Sequence, residues 1–213
     1  MAEITAANVA KLREMTGVGM MECKKALVQS EGNLDAAVDF LRKSGAASAA
    51  KKATREAREG VIAQYIAPGG KAGILVEVNC ETDFVAKNDN FREFVKDITL
   101  HIAAAHPLYV TRDQVPVADI EHEKEIYRGQ VKGKPAAITE KIVEGKLDKF
   151  FSTVCLLDQA FIKNPDVTVT ELIASKIAEL GENMVIRRFT RYMVGEELDA
   201  ALPSPEEPQP ATE

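Results

Sequence analysis

GILVEVNCETDFVAKND, residues 73–89, is the stretch whose reading decides the fold. It opens as a run of apolar and β-branched side chains, the signature of a buried strand. Beyond it Phe91, Val95, Ile98 and Ile102 recur at helical spacing as far as Pro107, so a helix begins near Asp89. Between strand and helix stand an acid and a large aromatic side by side, Asp83 and Phe84. On residue type alone, Phe84 is either a core side chain at the strand-to-helix junction, with Asp83 an N-cap, or an apolar group held at the surface.

Upstream, VIAQYI at 61–66 and the strand at 74–78 flank PGGKA at 68–72, two β-rich runs around a glycine turn and therefore a hairpin. The GGKAG there lacks the GxxxxGK[ST] spacing of a phosphate-binding loop, and Gly17-Val18-Gly19 lacks the third glycine of a dinucleotide fingerprint. Residues 1–45 divide into short helical segments punctuated by Gly17, Gly32 and Gly45, positions where a left-handed helix stop costs least. Val9, Leu12 and Met15 form one apolar stripe; Asn33 caps the last segment, in which Leu34, Val38 and Leu41 form another. Met20 and Met21 open the middle helix, and since neighbouring helical positions point about 100° apart, at least one of them faces solvent. Residues 46–59, rich in alanine and basic side chains, read as a partly helical linker. Lys51, Lys52, Arg55 and Arg58 fit a solvated face better than a nucleic-acid contact.

Downstream, residues 119–151 read as paired charged helices broken near Gly133-Lys134-Pro135, an antiparallel helical hairpin. Residues 152–162 are ambiguous and β-prone at 153–157. A helix over 171–180 stops at Gly181, and a β-rich run over 184–194 carries Arg187, Arg188 and Arg191, for which partner contact and internal ion pairing stand as alternatives. Residues 199–213 hold too much proline and charge to pack, and read as a disordered acidic tail. The fold class is α+β: a small helical bundle, residues 1–45, then a core over 60–198 of antiparallel sheet packed with helices.

The net charge of -6 argues against general nucleic-acid binding, which needs clustered positive surface, and favours a partner with a basic face. The amphipathic N-terminus is neither a secretory signal nor a membrane span, which points to the cytoplasm. Cys23, Cys80 and Cys155 are odd in number and far apart, as reduced packing thiols are. No nucleophile elbow, zinc motif or paired-carboxylate pattern appears, and Glu81 and Asp83 beside Cys80 would raise its pKa, the wrong direction for a nucleophile. The expectation is a non-enzymatic protein without cofactor or metal.

LREMTGVGMMECKKAL, RKSGAASAAKKA, NCETDFVAKND and VIRRFTRYMVGEE, in that order over about residues 1–198, together resemble elongation factor Ts. The resemblance implies a guanine-nucleotide exchange factor for elongation factor Tu, with an N-terminal bundle like a ubiquitin-associated module. It implies that Thr82, Asp83, Phe84 and Val85 disturb the magnesium and phosphate site of the partner. It further implies that Arg13, Met20 and Met21 touch its GTPase domain and that His101 lies at the interface, a satisfied core histidine being the alternative. A single TDFV segment marks a short form, in which homodimerisation is expected, with the 119–151 hairpin as a candidate contact. The rival from another class is a helical adaptor that dimerises through its core and leaves nucleotide release unchanged.

Overall fold

Three helices open the chain in the computed structural model, which describes residues 4–131 and 135–196: α1 (Ala6–Thr16), α2 (Met20–Gln29) and α3 (Leu34–Lys52). Thr5 and Asn33 cap α1 and α3, their side chains accepting from Asn8 N (3.2 Å) and Ala36 N (3.1 Å). Leu12, Cys23, Ala26, Leu27 and Ala37 are fully buried between the helices. Two expectations change here. Met15 is 55% exposed, because three-residue steps drift around the helix and the third member of the stripe lies about 120° from Val9. Gly45 does not stop α3, which continues through it to Lys52. A Cβ at Gly45 would lie 3.6 Å from the carbonyl of Ala174 and 3.8 Å from the Ala178 side chain, so this glycine is buried as a helix–helix contact.

The sheet has three antiparallel strands in the order β1-β2-β5: β1 (Glu59–Ile66), β2 (Ala72–Cys80) and β5 (Met184–Met193). Gly60 pairs with Asn79 at φ 142°, and a Cβ there would sit 2.2 Å from the Val78 carbonyl, so no other residue fits. The period-2 alternation of β2 turns Ile74, Val76 and Val78 inward. They meet α5 (Asp89–Ala105), whose Phe91, Phe94, Val95, Ile98 and Ile102 are all buried, and α8 (Val169–Leu180). Each such side chain contributes about 1.5–3 kcal/mol by leaving water. α8 begins with a capping box between Thr168 and Glu171 and ends at Gly181.

Between α5 and α8 stand α6 (Val117–Gln130) and α7 (Ala136–Val154), an antiparallel hairpin joined by the Arg128–Glu140 ion pair (3.0 Å), with the Lys146 ammonium 5.4 Å from the Tyr127 ring centroid. Pro135 precedes α7; Gly133 and Lys134 lie outside the described residues, as does the expected tail at 199–213. The β-prone 153–157 stretch resolves into the end of α7, a single bridge between Cys155 and Tyr109, and a 3-10 turn at Leu156–Asp158. A two-stranded ribbon, β3 (Ala160–Phe161) with β4 (Asn164–Thr168), leads into α8. No helix among the described residues is long and apolar enough to cross a membrane.

Candidate functional site

Strand β2 ends at Cys80, and a one-turn helix, α4 (Asp83–Ala86), follows at once. Thr82, not Asp83, is its N-cap: the threonine hydroxyl accepts from Val85 N at 3.4 Å. Val85 and Ala86 are buried under the sheet and α5. A four-residue turn that buries two consecutive side chains must present the other two outward. Asp83 and Phe84 are those two, and Phe84 is 79% exposed. The core alternative for Phe84 is thereby excluded.

Asp83 reaches along its own turn to Lys87, Oδ2 to Nζ 2.6 Å. That hydrogen bond, with the ammonium charge behind it, holds the Asp83 carboxyl below the usual carboxylate range. The turn is fixed on its far side by Asn88, which caps α5 by accepting from Asn90 N (2.8 Å), and by Arg92, whose Nε donates to the Ala86 carbonyl (3.4 Å). Cys80 lies beneath, donating to the Thr82 carbonyl (3.2 Å). Burial first, and the Glu182 carboxylate second, push its thiol up to about 11. Cys155 is likewise pushed up to about 11 by burial, and Cys23 is raised for the same reason. All three are buried packing groups. Among the described residues no cluster of His, Cys, Asp and Glu could hold a metal ion.

The N-terminal candidates lie elsewhere on the surface. Met20 and Met21 begin α2 at 44% and 69% exposure, so both face solvent, and Arg13 is exposed in the last turn of α1. Met15, missed as a surface group because its stripe looked internal, joins them as an exposed methionine of the bundle. The turn between α1 and α2 reaches the core at Gly17, where a Cβ would stand 3.5 Å from Glu179 Oε2; the other oxygen of Glu179 accepts from Asn90 Nδ2 (2.8 Å) at the start of α5.

His101 is fully buried, and its geometry is that of the satisfied core histidine. Nδ1 accepts from Ile162 N (3.2 Å), which leaves Nε2 to carry the proton and donate to Gln159 Oε1 (2.9 Å). Burial lowers its pKa, with the Gln159 hydrogen bond acting against it. Among the C-terminal arginines, Arg187 (3.4 Å) and Arg188 (2.7 Å) pair with Glu77, and Arg191 pairs with Glu196, so internal ion pairs are formed. In the linker, Arg55 meets Glu81 (3.6 Å), Arg58 meets Glu56 (2.6 Å), and Lys52 donates to the Ile177 carbonyl (3.2 Å).

Comparison with known proteins adds an independent line. A family model described as elongation factor TS matches residues 9–196. Elongation factor Ts of Geobacter sulfurreducens is 56% identical over 198 residues, covering 92% of each chain. The elongation factor Ts of Desulfitobacterium hafniense is 54% identical over 201 residues, 93% of each, and that of Heliobacterium modesticaldum 55% over 197 residues, 92% of each.

Proposed function

We propose, since the chain belongs to the elongation factor Ts family, that it is a guanine-nucleotide exchange factor of translation elongation, acting in the cytoplasm. It binds elongation factor Tu in its GDP-bound form, promotes release of GDP and so lets GTP enter, with no covalent chemistry of its own. Thr82, Asp83, Phe84 and Val85 form the segment that disturbs the partner's magnesium and phosphate site. Arg13, Met20 and Met21 dock the N-terminal bundle on the GTPase domain, methionine being an adaptable contact side chain. His101 enters as a buried support for residues 159–162.

The observation that carries this reading is the 79% exposure of Phe84 on a turn whose next two residues, Val85 and Ala86, are buried. A large aromatic held in water has about 1.5–3 kcal/mol to gain from burial in a partner, enough to wedge neighbouring packed elements apart. GDP is gripped chiefly through its phosphates and their metal, so moving the elements that place the metal weakens the tightest region of the site. Asp83 brings a carboxylate to the same place, where the partner otherwise favours phosphate. Exchange then follows from linkage: a factor that prefers the nucleotide-free partner must weaken GDP as much as GDP weakens it. The test is release of a fluorescent GDP analogue from elongation factor Tu with and without this protein. Acceleration supports the reading; a folded protein that binds without accelerating release leaves the adaptor.

The chain also pairs with a second copy of itself in this reading. The sheet face away from α5 carries Leu75 at its centre, with Ile62, Ile66 and Tyr192 diagonal to it on the neighbouring strands, all between 49% and 70% exposed. Ile66 leans across Gly73, where a Cβ would stand 3.1 Å from its Cδ1. Gln64 and Thr190 lie directly opposite Leu75 on this face, and its four exposed apolar side chains, against Ile126 and Ile138 on the helical hairpin, make the sheet face the contact proposed here.

A further inference from the structure

We propose that Glu182 is the positioning residue of the Asp83–Phe84 turn, an inference that rests on the function read above. Glu182 is a hundred residues away in sequence, just beyond the end of α8, where Gly181 takes up the left-handed conformation at φ 81°. Its carboxylate closes on the backbone ahead of α4. Oε2 accepts from the amides of Glu81 (3.2 Å) and Thr82 (3.0 Å), and Oε1 accepts from the Thr82 hydroxyl (2.7 Å). The hydroxyl that donates to Glu182 is the one that accepts from Val85 N, so the acid also orients the cap of α4.

The grip is returned from the other side. Glu81 Oε1 accepts from Asn183 N (2.6 Å), and Asn183 is buried with its Nδ2 donating to the Arg55 carbonyl (2.8 Å). Arg55 closes the circuit on Glu81. The α8–β5 turn thus fastens the start of α4 and the chain leaving α3 to one another.

A one-turn helix cannot hold its own conformation, since helix formation repays its nucleation only over several turns. Val85 and Ala86 anchor its inner side, but they do not fix the direction in which Phe84 leaves the turn. Three hydrogen bonds to the two residues before Asp83 do. The exchange step needs the aromatic ring delivered along one line, and a displacement of the order of 1 Å at such a group costs up to about a hundredfold in rate. Glu182 acts through Thr82 and the backbone ahead of α4, as a positioning residue.

The experiment measures the limiting rate of release of a fluorescent GDP analogue at saturating factor for wild type, Glu182→Ala, Phe84→Ala and the double variant. Glu182→Ala is expected to lower the limiting rate about tenfold or more. In the Phe84→Ala background it is expected to add nothing, because the group it positions is gone. Glu182→Gln is expected to recover most of the rate: its amide oxygen can accept from both backbone amides while its NH2 donates to the Thr82 hydroxyl. A wild-type rate for Glu182→Ala with a slow Phe84→Ala overturns this inference alone, as do fully additive effects in the double variant. A wild-type rate for Phe84→Ala removes the wedge role of Phe84 and this inference with it, while a folded wild type that does not accelerate release overturns the functional reading itself. Should Glu182→Ala fail to fold, Glu182→Asp, which keeps the charge and withdraws the carboxylate by one methylene, decides by the same outcomes.

Discussion

Asp83 Oδ2 and Lys87 Nζ lie 2.6 Å apart across a single helical turn, with both side chains about two-thirds exposed at 67% and 70%. The acid that leads Phe84 into solvent is therefore already neutralised by its own helix, and a partner that takes it must displace Lys87. Lys87→Ala should raise the pH at which Asp83 titrates towards the ordinary aspartate value, readable by carboxyl NMR. A folded-state pKa held low adds stability above the unfolded value, and that stability is lost as the pH falls through the folded one. An ion pair this exposed adds little, so the melting temperature should be unchanged at neutral pH. Identical titration of Asp83 in both proteins would mean that the pair does not form in solution.

Phe84→Ala separates function from stability. The ring is 79% exposed, so its removal leaves no cavity and should leave thermal unfolding in place. If its burial in the partner contributes about 1.5–3 kcal/mol to the exchange transition state, the release rate should drop about ten- to a hundredfold. A variant that melts markedly earlier would show that the ring packs at home, contrary to its exposure.

Much of this turn was legible in the sequence, but not its outward face. The strand ending at Cys80 and the helix beginning at Asp89 follow from period-2 and 3.6-residue patterns, which are local properties. Whether Phe84 looks in or out depends on Val85 and Ala86 taking the inner side, a tertiary choice that four residues cannot announce. Gly45 shows the same limit: a glycine that ends a helix and one that admits a neighbouring helix look alike until Ala174 and Ala178 are in place. Glu182 carries no local signal at all, because the groups it holds are a hundred residues away. His101 is buried because Gln159 and the Ile162 amide satisfy both ring nitrogens, partners that no helical periodicity reveals.

That pairing gives a pH dependence with a definite sign. His101 must be neutral for Nδ1 to accept from Ile162 N, and burial lowers its pKa below the ordinary 6.5. Between the folded and unfolded values the unfolded chain holds the extra proton, so stability rises with pH across that window. The contribution is complete above about 6.5 and is lost as the pH falls through the folded value. Melting temperatures followed from pH 7.5 to 5 should show this loss in the wild type and a shallower one in His101→Gln. Parallel curves for the two proteins would remove His101 as its source.

Pairing of two copies through the sheet can be tested at the centre of the exposed patch. Leu75 is 49% exposed and points away from the core side chains Ile74 and Val76 on either side of it. An arginine there leaves the monomer's interior intact while setting a charge, and its mirror charge, in the middle of a two-fold contact, since an isologous interface brings the same residues together from both copies. Sedimentation at micromolar concentration should show a dimer for the wild type and a monomer for Leu75→Arg. The variant should also melt lower, and its melting temperature should cease to depend on concentration, because a partner that binds only the folded state stabilises by mass action. A wild type that sediments as a monomer removes the pairing. A Leu75→Arg protein that still dimerises, while lysines at Ile126 and Ile138 dissociate it, would move the contact to the helical hairpin.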